Sequence, residues 1–549
     1  MDAPMMPATA AAMQAEAPPV VTIRDLTLAL PAGGDRKHAG GGVSLDLTAG
    51  QILCVVGESG SGKSMCANAL MGLLPPAVRV VGGSMTFEGR DLLALPEAER
   101  RALRGDRIAM IFQEPMSALN PLMRIGDQIC EMFEAHGRLT PAERRARAVA
   151  LATEVGLPDP EQIVRRYPHQ LSGGQRQRTM IAMALALEPS VLVADEPTTA
   201  LDVTIQAQIL ALIRDLQRRR GMTVLFITHD FGVVAEIADR VAVLKDGSLV
   251  EEGPAAAILT APQHPYTRAL LAAVPSMVPP VRPEPPAARP FVEVVALQKR
   301  FVSGGGWFRK RHEVKAVDDV SLRLRKGETL GVVGESGSGK TTLGRCLVRL
   351  IEPDEGAILL GGLDLTGLDR KALRPARKRI QMVFQDPYSS LNPRKTVRQI
   401  LTDGPVAHEI PFAEAMDRAR DMLALVGLDA GSIDRFPHEF SGGQRQRIGI
   451  ARALVMEPEV LVADEAVSAL DVSIQAQVLA LLDDLRRRLD LTMVFITHAA
   501  QICDRVAVMQ RGKVVEVATA AELFRHPQHD YTRTLLAAIP GRKAEAAAT

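Results

Sequence analysis

The chain has 549 residues, which is enough for two large domains or about three or four domains of ordinary size. Its 65 Lys and Arg against 64 Asp and Glu leave a net charge of +1, which disfavours a dedicated nucleic-acid binder, because phosphate backbones are bound by surplus positive charge. Aromatic residues make up 3% of the chain against 47% hydrophobic residues, so we predict aliphatic α/β cores and not all-β sandwiches.

The N-terminal segment 1–19 is rich in Pro and Ala and has no positive charge before an apolar run, so it is predicted to be a disordered leader and not a signal peptide. No stretch of about 18 uncharged apolar residues occurs, and no membrane-spanning helix is predicted. The five cysteines stand singly, without a CxxC pair, which predicts buried thiols in a reducing compartment: Cys54, Cys66, Cys130, Cys346 and Cys503.

The first candidate site begins at the apolar run Ile52–Val56, which predicts a buried strand, and Met65–Leu73 predicts the helix that follows. The sequence GESGSGKS, which runs from the end of this strand into the helix, matches the phosphate-loop pattern G-x-x-x-x-G-K-[ST]. Its glycines let backbone N–H groups surround phosphate oxygens, while Lys63 reaches the terminal phosphates and the Ser64 hydroxyl ligates Mg²⁺. The predicted nucleotide-binding residues are Gly57, Glu58, Ser59, Gly60, Ser61, Gly62, Lys63 and Ser64.

A second apolar run, Val191–Ala194, predicts a strand that ends in two carboxylates, at the edge where α/β sheets bind ligands. Asp195 is predicted to hold Mg²⁺ through water, and Glu196 to polarise the water that attacks the terminal phosphate. Alone, such a pair is equally consistent with a helix cap or a solvated edge. The upstream phosphate loop favours the catalytic interpretation.

The second half of the chain repeats the first. The segments VVGESGSGK, SGGQRQR, VLVADE and FITH each occur twice in the same order, and YTRALLAAVP returns as YTRTLLAAIP. The repeat predicts a second phosphate loop, a second metal-binding aspartate and a second catalytic glutamate. These residues are Gly334, Glu335, Ser336, Gly337, Ser338, Gly339, Lys340, Thr341, Asp464 and Glu465.

The two copies are separated by the proline-rich stretch 276–290, which predicts an extended, semi-stiff linker. The predicted organisation is a leader (1–19), a first nucleotide-binding domain (20–275), the linker (276–290), a second nucleotide-binding domain (291–540) and a tail (541–549).

These motifs together resemble the ATP-binding cassette (ABC) family. The resemblance adds three kinds of residue: Q-loop glutamines that contact nucleotide and metal, signature residues that contact nucleotide, and catalytic switch histidines. They are Gln113 and Gln385; Ser172, Gly173, Gly174, Gln175, Ser441, Gly442, Gly443 and Gln444; and His229 and His498. Each histidine ends an apolar stretch, Thr223–Thr228 or Thr492–Thr497, at matching places in the copies.

The resemblance implies an α/β fold with two tandem P-loop NTPase domains, each with an α/β core, an antiparallel β subdomain and a helical subdomain. It also implies that the cassettes close head to tail as an intramolecular dimer. Each ATP, with Mg²⁺, would lie between the phosphate loop of one copy and the signature of the other. Because neither copy has lost its Lys or Glu, we predict two hydrolytic sites.

A narrower resemblance, to fused two-cassette members of the oligopeptide/dipeptide/nickel importer subfamily, rests on the phrases FQEPMSALNP, FQDPYSSLNP, ALDVTIQAQ and HPYTRALLAAVP. It implies an ATPase that powers uptake of dipeptides, oligopeptides or a related solute such as glutathione, with a nickel or other metal chelate as alternative cargo. The implied partners are two membrane permeases, contacted near Pro115–Gln128 and Pro387–Gln399, and a periplasmic or extracellular solute-binding protein. The implied location is the cytoplasmic face of the inner membrane, reached through the permeases alone.

A soluble tandem cassette that acts on ribosomes or DNA is the alternative of another class. Translation-associated relatives carry a long charged helical linker, and DNA-repair relatives carry inserted zinc-binding cysteines. The short proline-rich linker and the isolated cysteines therefore favour transport and no nucleic-acid partner.

The two copies differ in places that matter for the sites. Family cassettes stack adenine on an aromatic side chain; Phe301 fits this role, but Leu30 occupies the matching place in the first copy, which predicts weaker nucleotide binding there. The second copy also lacks four residues after His498 and has Ala499 where the first has Asp230. We expect the helix that follows to persist, about 1.1 turns shorter.

Overall fold

The computed structural model describes residues 18–31, 38–199, 201–274, 289–303, 312–386, 390–467, 470–497 and 502–541. The strands of the first repeat are β1 (Pro19–Ala29), β2 (His38–Thr48), β3 (Ile52–Val56), β4 (Arg79–Phe87), β5 (Arg90–Asp91), β6 (Ile108–Ile111), β7 (Val191–Asp195), β8 (Thr223–Ile227), β9 (Arg240–Lys245) and β10 (Ser248–Pro254). Those of the second are β11 (Val292–Ser303), β12 (His312–Leu324), β13 (Thr329–Val333), β14 (Glu355–Leu360), β15 (Leu363–Asp364), β16 (Ile380–Val383), β17 (Val460–Asp464), β18 (Thr492–Ile496), β19 (Arg505–Gln510) and β20 (Lys513–Thr519).

The helices of the first repeat are α1 (Lys63–Met71), α2 (Glu97–Leu103), α3 (Pro115–Ala118), α4 (Ile125–Ala135), α5 (Pro141–Glu154), α6 (Pro160–Ile163), α7 (Gly173–Ala184), α8 (Val203–Arg220), α9 (Phe231–Ile237), α10 (Ala255–Thr260) and α11 (Pro265–Ala273). Those of the second are α12 (Lys340–Leu347), α13 (Arg370–Arg379), α14 (Val397–Ala407), α15 (Phe412–Leu425), α16 (Gly442–Leu454), α17 (Val472–Leu489), α18 (Ala520–Arg525) and α19 (Asp530–Ala537). Short 3₁₀ helices cover Pro168–Gln170, Ala430–Asp434 and Pro437–Glu439.

The chain divides into two compact units. The first contains the described residues of 1–197, 211–228 and 237–264, and the second those of 198–210, 229–236 and 265–549. Each unit contains one four-stranded antiparallel sheet and one six-stranded, mostly parallel sheet.

In the first unit the sheets have the strand orders β2-β1-β4-β5 and β10-β9-β3-β8-β7-β6. In the second the orders are β12-β11-β14-β15 and β16-β17-β18-β13-β19-β20. Only the edge strands β10 and β20 run antiparallel in the six-stranded sheets. The predicted fold class, with an α/β core, an antiparallel β subdomain and a helical subdomain in each copy, is confirmed.

The parallel strands are continuous apolar runs because both of their faces are buried. In the second unit, Val462 and Val494 point toward a core shared with the antiparallel sheet. Their neighbours Leu461 and Phe495 point toward a second core shared with α14, α15 and α16. The sheet therefore lies between two layers, and the loops after its parallel strands are free to build a site.

The phosphate-loop helix begins earlier than predicted. Helix α1 starts at Lys63, two residues before the predicted start at Met65, because Gly62 adopts the left-handed conformation (φ 94°) and acts as the N-cap. Lys63 and Ser64 therefore belong to the first helical turn, whose free N–H groups point at the loop.

The helix predicted after β18 falls almost wholly on residues outside the described ranges, so its persistence stays a prediction. Its counterpart in the first repeat, α9, has seven residues. His498 and Ala499 lie outside the described residues, and the following residues Ile502–Asp504 are not helical.

The predicted leader, linker and tail lie outside the described residues except at their edges, and Pro19 already belongs to β1. Across the described ranges, no helix is long and apolar enough to cross a membrane. Four cysteines are buried as predicted, and burial raises the pKa of Cys66 to about 12 and of Cys346 to about 11. Cys130, on α4, is only half-buried, so the prediction is wrong for that thiol.

Candidate nucleotide-binding sites

The second phosphate loop connects β13 to α12 and is shaped by glycines in the left-handed region. Gly334, Gly337 and Gly339 have φ values of 153°, 81° and 106°. A Cβ on Gly334 would lie 2.2 Å from the Met509 carbonyl oxygen, and one on Gly339 would lie 2.0 Å from that of Ala316. Only glycine fits these two positions, so the loop conformation is built into the sequence.

Lys340 is the buried cation of this loop. Its side chain is 4% exposed, and Nζ donates hydrogen bonds to the carbonyl oxygens of Gly334 (2.7 Å) and Glu335 (2.8 Å). Burial lowers the pKa of Lys340, because the ammonium has lost solvation, although the Glu465 carboxylate opposes this. An anion placed at the loop would restore the lost stabilisation.

The hydroxyl of Thr341 and the carboxylate of Asp464 lie together at the ends of α12 and β17. Thr341 Oγ1 donates to Asp464 Oδ1 at 3.0 Å. Burial raises the pKa of Asp464, with the Thr341 hydrogen bond acting in the opposite direction. This pair offers the hard oxygen ligands that Mg²⁺ prefers, and a cation would stabilise the buried carboxylate.

Glu465 follows directly, at φ 45°, in the left-handed region where a residue other than glycine is strained. Its N–H donates to the Ile496 carbonyl oxygen at 2.9 Å, which ties the turn to the end of β18. Gln385, at the end of β16, donates from Nε2 to Glu465 Oε2. Burial raises the pKa of Glu465, opposed by the nearby Lys340 ammonium.

The first repeat has the same arrangement. Lys63 Nζ donates to the carbonyl oxygens of Gly57 (2.7 Å) and Glu58 (2.8 Å), and Ser64 Oγ donates to Asp195 Oδ1 at 2.9 Å. Burial raises the pKa of Asp195, which the hydrogen bond from Ser64 opposes.

The first glutamate has the geometry of the second. Glu196 has φ 46°, its N–H donates to the Ile227 carbonyl oxygen at 3.0 Å, and Gln113 Nε2 donates to Glu196 Oε2 at 3.1 Å. Each sheet edge therefore brings together loop lysine, hydroxyl, aspartate, glutamate and glutamine, residues far apart in the sequence.

The signature residues form the N-termini of α7 and α16. Ser441 and Gln444 make a capping box, in which Ser441 Oγ accepts from the Gln444 N–H (3.3 Å) and Gln444 Oε1 accepts from the Ser441 N–H (3.0 Å). Ser172 and Gln175 do the same, with equal distances. The glycines Gly173, Gly174, Gly442 and Gly443 lie in the first turns, where helix N–H groups attract anions.

The remaining predicted residues are only partly located. Phe301 on β11 is 43% exposed, with the Lys299 ammonium 5.8 Å from its ring centroid, so it is not a core residue. Leu30 is half-buried and packs against the core of the first unit. His229 follows β8 and is half-buried, whereas His498 lies outside the described residues.

The second loop fits a phosphate group. Ser338 Oγ is buried in the loop and has no hydrogen-bond partner among the residues that the structure describes. A buried hydroxyl without a partner is costly, and a phosphate oxygen would satisfy it. Together with the buried Lys340 ammonium, this hydroxyl makes the loop suited to the phosphates of ATP.

Sequence analysis missed one residue of this region. Tyr531, on α19, accepts a hydrogen bond from the loop N–H of Glu335 at 3.0 Å. The motif that contains it indicates the repeat and the subfamily, but does not by itself assign the tyrosine to the nucleotide site. Its tyrosine, present in both copies of a chain with four tyrosines, was the available signal.

Comparison with known proteins gives two family matches. Residues 41–199 and 317–468 match the ABC transporter family, and residues 250–310 and 515–548 match the oligopeptide/dipeptide transporter C-terminal region. The chain is 50% identical over 529 residues to the peptidoglycan transport ATP-binding protein YejF of Agrobacterium fabrum, covering 95% of this chain and 96% of that protein. It is 46% identical over 557 residues to the glutathione import ATP-binding protein GsiA of Salmonella choleraesuis, covering 95% and 89%.

Proposed function

Because this chain belongs to the ABC transporter family, whose cassettes bind and hydrolyse ATP, we propose that it is the ATPase subunit that powers import of dipeptides, oligopeptides or a related solute such as glutathione. The observation that carries the proposal is the duplicated arrangement of a buried loop lysine with a hydroxyl–aspartate pair and a strained glutamate. The C-terminal region match places the chain nearer to peptide importers than to other transporters.

In this proposal the residues of each site divide the work of hydrolysis. Lys63 and Lys340 bind the terminal phosphates of ATP, whose charge a bound Mg²⁺ would help to neutralise. Ser64 and Thr341, with Asp195 and Asp464 through water and the Q-loop glutamines Gln113 and Gln385, would hold that ion.

Glu196 and Glu465 orient the attacking water and accept its proton, and the glutamine bound to each carboxylate positions it. Phe301 stacks on adenine in the second site. The catalytic roles of His229 and His498, and the pairing of each phosphate loop with the signature of the other repeat, stay predictions.

The nature of the cargo rests on the relatives. One is named for peptidoglycan transport and the other for glutathione import, and both names describe transport of peptide-containing solutes. Neither describes action on ribosomes or DNA, so the alternative of a soluble tandem cassette is not supported.

The proposed partners are two permease subunits, which bind near Pro115–Gln128 and Pro387–Gln399, and a solute-binding protein. A cavity of about 420 Å³ lies beside the described part of the second segment, residues 390–399, and between β16, α14 and α16. The charged side chains of its lining are Arg377, Lys395 and Arg452 against Asp403, which pairs with Lys395, so two arginines remain in excess. We propose that it receives an acidic side chain from a cytoplasmic segment of one permease, which would hold the protein at the cytoplasmic face of the inner membrane.

The first repeat differs at this place. Met132 on α4 occupies the position of Gly404 on α14. The Met132 methyl group lies 3.4 Å from where a Cβ on Gly105 would be, so it fills the space beside that glycine. The two cassettes therefore present different surfaces to the two permeases.

Co-expression with two candidate permeases and purification through one permease tests this function. We expect the chain to co-purify and the assembled complex to hydrolyse ATP faster when a peptide-loaded binding protein is added. Sedimentation with ribosomes, without association with the permeases, would overturn the proposal.

A further inference from the structure

The C-terminal segment reaches the second phosphate loop through one tyrosine. Tyr531 lies in the first turn of α19, is 8% exposed, and packs in the same core as Leu535 and Leu536. Its Oη accepts a hydrogen bond from the N–H of Glu335, the second residue of the loop, at 3.0 Å.

Tyr531 and Lys340 both hydrogen-bond to the same peptide group. The carbonyl of Gly334 and the N–H of Glu335 belong to one peptide group. Lys340 Nζ donates to its oxygen at 2.7 Å, and Tyr531 Oη accepts from its nitrogen at 3.0 Å. Because phosphates compete with the carbonyl oxygens for the lysine, the tyrosine is the contact that holds this peptide when nucleotide binds.

Tyr531 is positioned by a carboxylate clamp, in which one glutamate accepts hydrogen bonds from two consecutive N–H groups of the preceding turn. Glu516 on β20 accepts hydrogen bonds from the N–H groups of Gln528 (2.8 Å) and His529 (3.0 Å). His529 Nδ1 in turn accepts from the Tyr531 N–H at 3.1 Å. The tyrosine is therefore tied through its backbone to the edge of the six-stranded sheet.

The first repeat has the same clamp, because Glu251 on β10 accepts from the N–H groups of Gln263 (2.6 Å) and His264 (3.1 Å). The tyrosine is also kept, as Tyr266. At another aromatic position the copies differ: the first has Tyr167 and the second has Phe436, which lacks the hydroxyl. The presence of a tyrosine at this position in both copies therefore favours a role for the hydroxyl of Tyr531.

We propose that Tyr531 is a positioning residue of the second ATP site, whose hydroxyl holds the Gly334–Glu335 peptide in the orientation that binds phosphate. The inference rests on the proposed ATP-binding role of the loop. It gives the oligopeptide/dipeptide transporter C-terminal region, residues 515–548, a part in nucleotide binding.

A tyrosine that only fills the core would act through its ring. Tyr531→Phe separates the two roles, because it keeps the ring and removes the hydroxyl. The Glu335 N–H then loses its acceptor, and the peptide is held only by the lysine that the nucleotide needs. Burial raises the pKa of Tyr531, so the group removed is a neutral hydroxyl at working pH.

The test uses the full chain with Lys63→Ala, so that nucleotide binding reports the second loop. We expect Tyr531→Phe to raise the dissociation constants of ATP and ADP about 2- to 12-fold, the equivalent of one hydrogen bond. Adenosine binding and the melting temperature of the nucleotide-free protein should change little, and the Glu335 amide should exchange its hydrogen faster. Tyr167→Phe is the matched control and should change none of these.

Two results would overturn the inference. One is unchanged ATP affinity in Tyr531→Phe. The other is a loss of ATP affinity together with an equal loss of adenosine affinity and a lower melting temperature. Lys340→Ala distinguishes failure of the proposed ATP-binding role of the loop from failure of the proposed role of Tyr531. The substitution is made in the Lys63→Ala chain, where the second loop alone reports. If ATP binding stays intact there, the proposed function of the loop fails; if it is abolished while Tyr531→Phe has no effect, only the role of the tyrosine fails.

Discussion

At the scale of single residues, Gly334 is the first residue of the second phosphate loop, and its conformation determines the path of the chain there. A Cβ there would lie 2.2 Å from the Met509 carbonyl oxygen, so an alanine can be accepted only if the loop moves. We expect Gly334→Ala, in the Lys63→Ala chain, to weaken ATP binding about 10- to 100-fold, since strain of a few kcal/mol must be relieved. The measurement is the ATP dissociation constant by calorimetry.

The matched control for Gly334→Ala is Gly449→Ala in α16. Nothing lies within 4 Å of a Cβ on Gly449, and the first repeat has Met180 there. If both alanine variants bind ATP equally well, the close approach at Gly334 does not shape the site.

Phe301 and Leu30 make a second prediction at this scale. The exposed Phe301 ring is available for stacking, whereas half-buried Leu30 packs against its own core. Because stacking contributes about 1–3 kcal/mol per base, ATP should bind more tightly to the second loop than to the first. Nucleotide titrations of Lys63→Ala and Lys340→Ala chains report the second and first loops respectively.

Two further variants extend that comparison. We expect Phe301→Leu to reduce the difference in ATP affinity between the loops by weakening ATP binding to the second. We expect Leu30→Phe to reduce it by strengthening ATP binding to the first. Equal affinities in the two lysine variants would contradict the stacking role.

The site residues could be predicted where one short motif contains them. Lys340 and Thr341 lie in the same loop, and their chemistry follows from the pattern of residues around them. The contact that Tyr531 makes could not be predicted, because the residue lies 196 positions after its partner Glu335 and only the fold brings them together. The hydrogen bonds from the Q-loop glutamines to the glutamates likewise required the structure.

At the scale of secondary structure, the buried strands were predictable because parallel strands covered on both faces are uninterrupted apolar runs. The predicted strand Ile52–Val56 is β3 without change. The start of α1 was missed because Gly62 serves as its N-cap, which apolar spacing does not reveal. The shortened helix after β18 stays a prediction, because the residues that would form it lie almost wholly outside the described ranges.

Helix α14 carries a prediction about docking. Gly404 lines the cavity of about 420 Å³, so the longer side chain of Gly404→Met would occupy part of it; Met132 holds the matching position in the first repeat. We expect Gly404→Met to weaken association with one permease several-fold and to reduce the stimulation of ATP hydrolysis by transport solute. Basal hydrolysis should stay the same, since Gly404 lies outside the nucleotide sites.

Gly404→Ala is the control for this substitution. Its Cβ would lie 3.2 Å from the flexible Met456 Sδ, and most of the cavity would stay open. Should both variants associate with the permeases as the unchanged chain does, the cavity has no part in docking.

At the scale of the whole molecule, the near-zero net charge agrees with the way the sites are built. In the proposed sites, phosphate binding depends on one buried lysine and a few backbone N–H groups in each loop, so no general positive surface is required. The duplication, readable from the sequence, predicted two complete sets of these groups. In both sets the structure gives the loop lysine hydrogen bonds to two loop carbonyl oxygens and the hydroxyl a hydrogen bond to the aspartate.

The central claim is that both repeats hydrolyse ATP, and separate substitution of the two glutamates tests it most directly. Steady-state ATP hydrolysis is to be measured for the complex of this chain with its permeases, unchanged, with Glu196→Gln and with Glu465→Gln. Loss of either carboxylate should lower the rate about 100-fold or more at its own site, since general-base catalysis contributes about that much. We predict that each variant is clearly slower than the unchanged complex; an unchanged rate in either one would contradict the account.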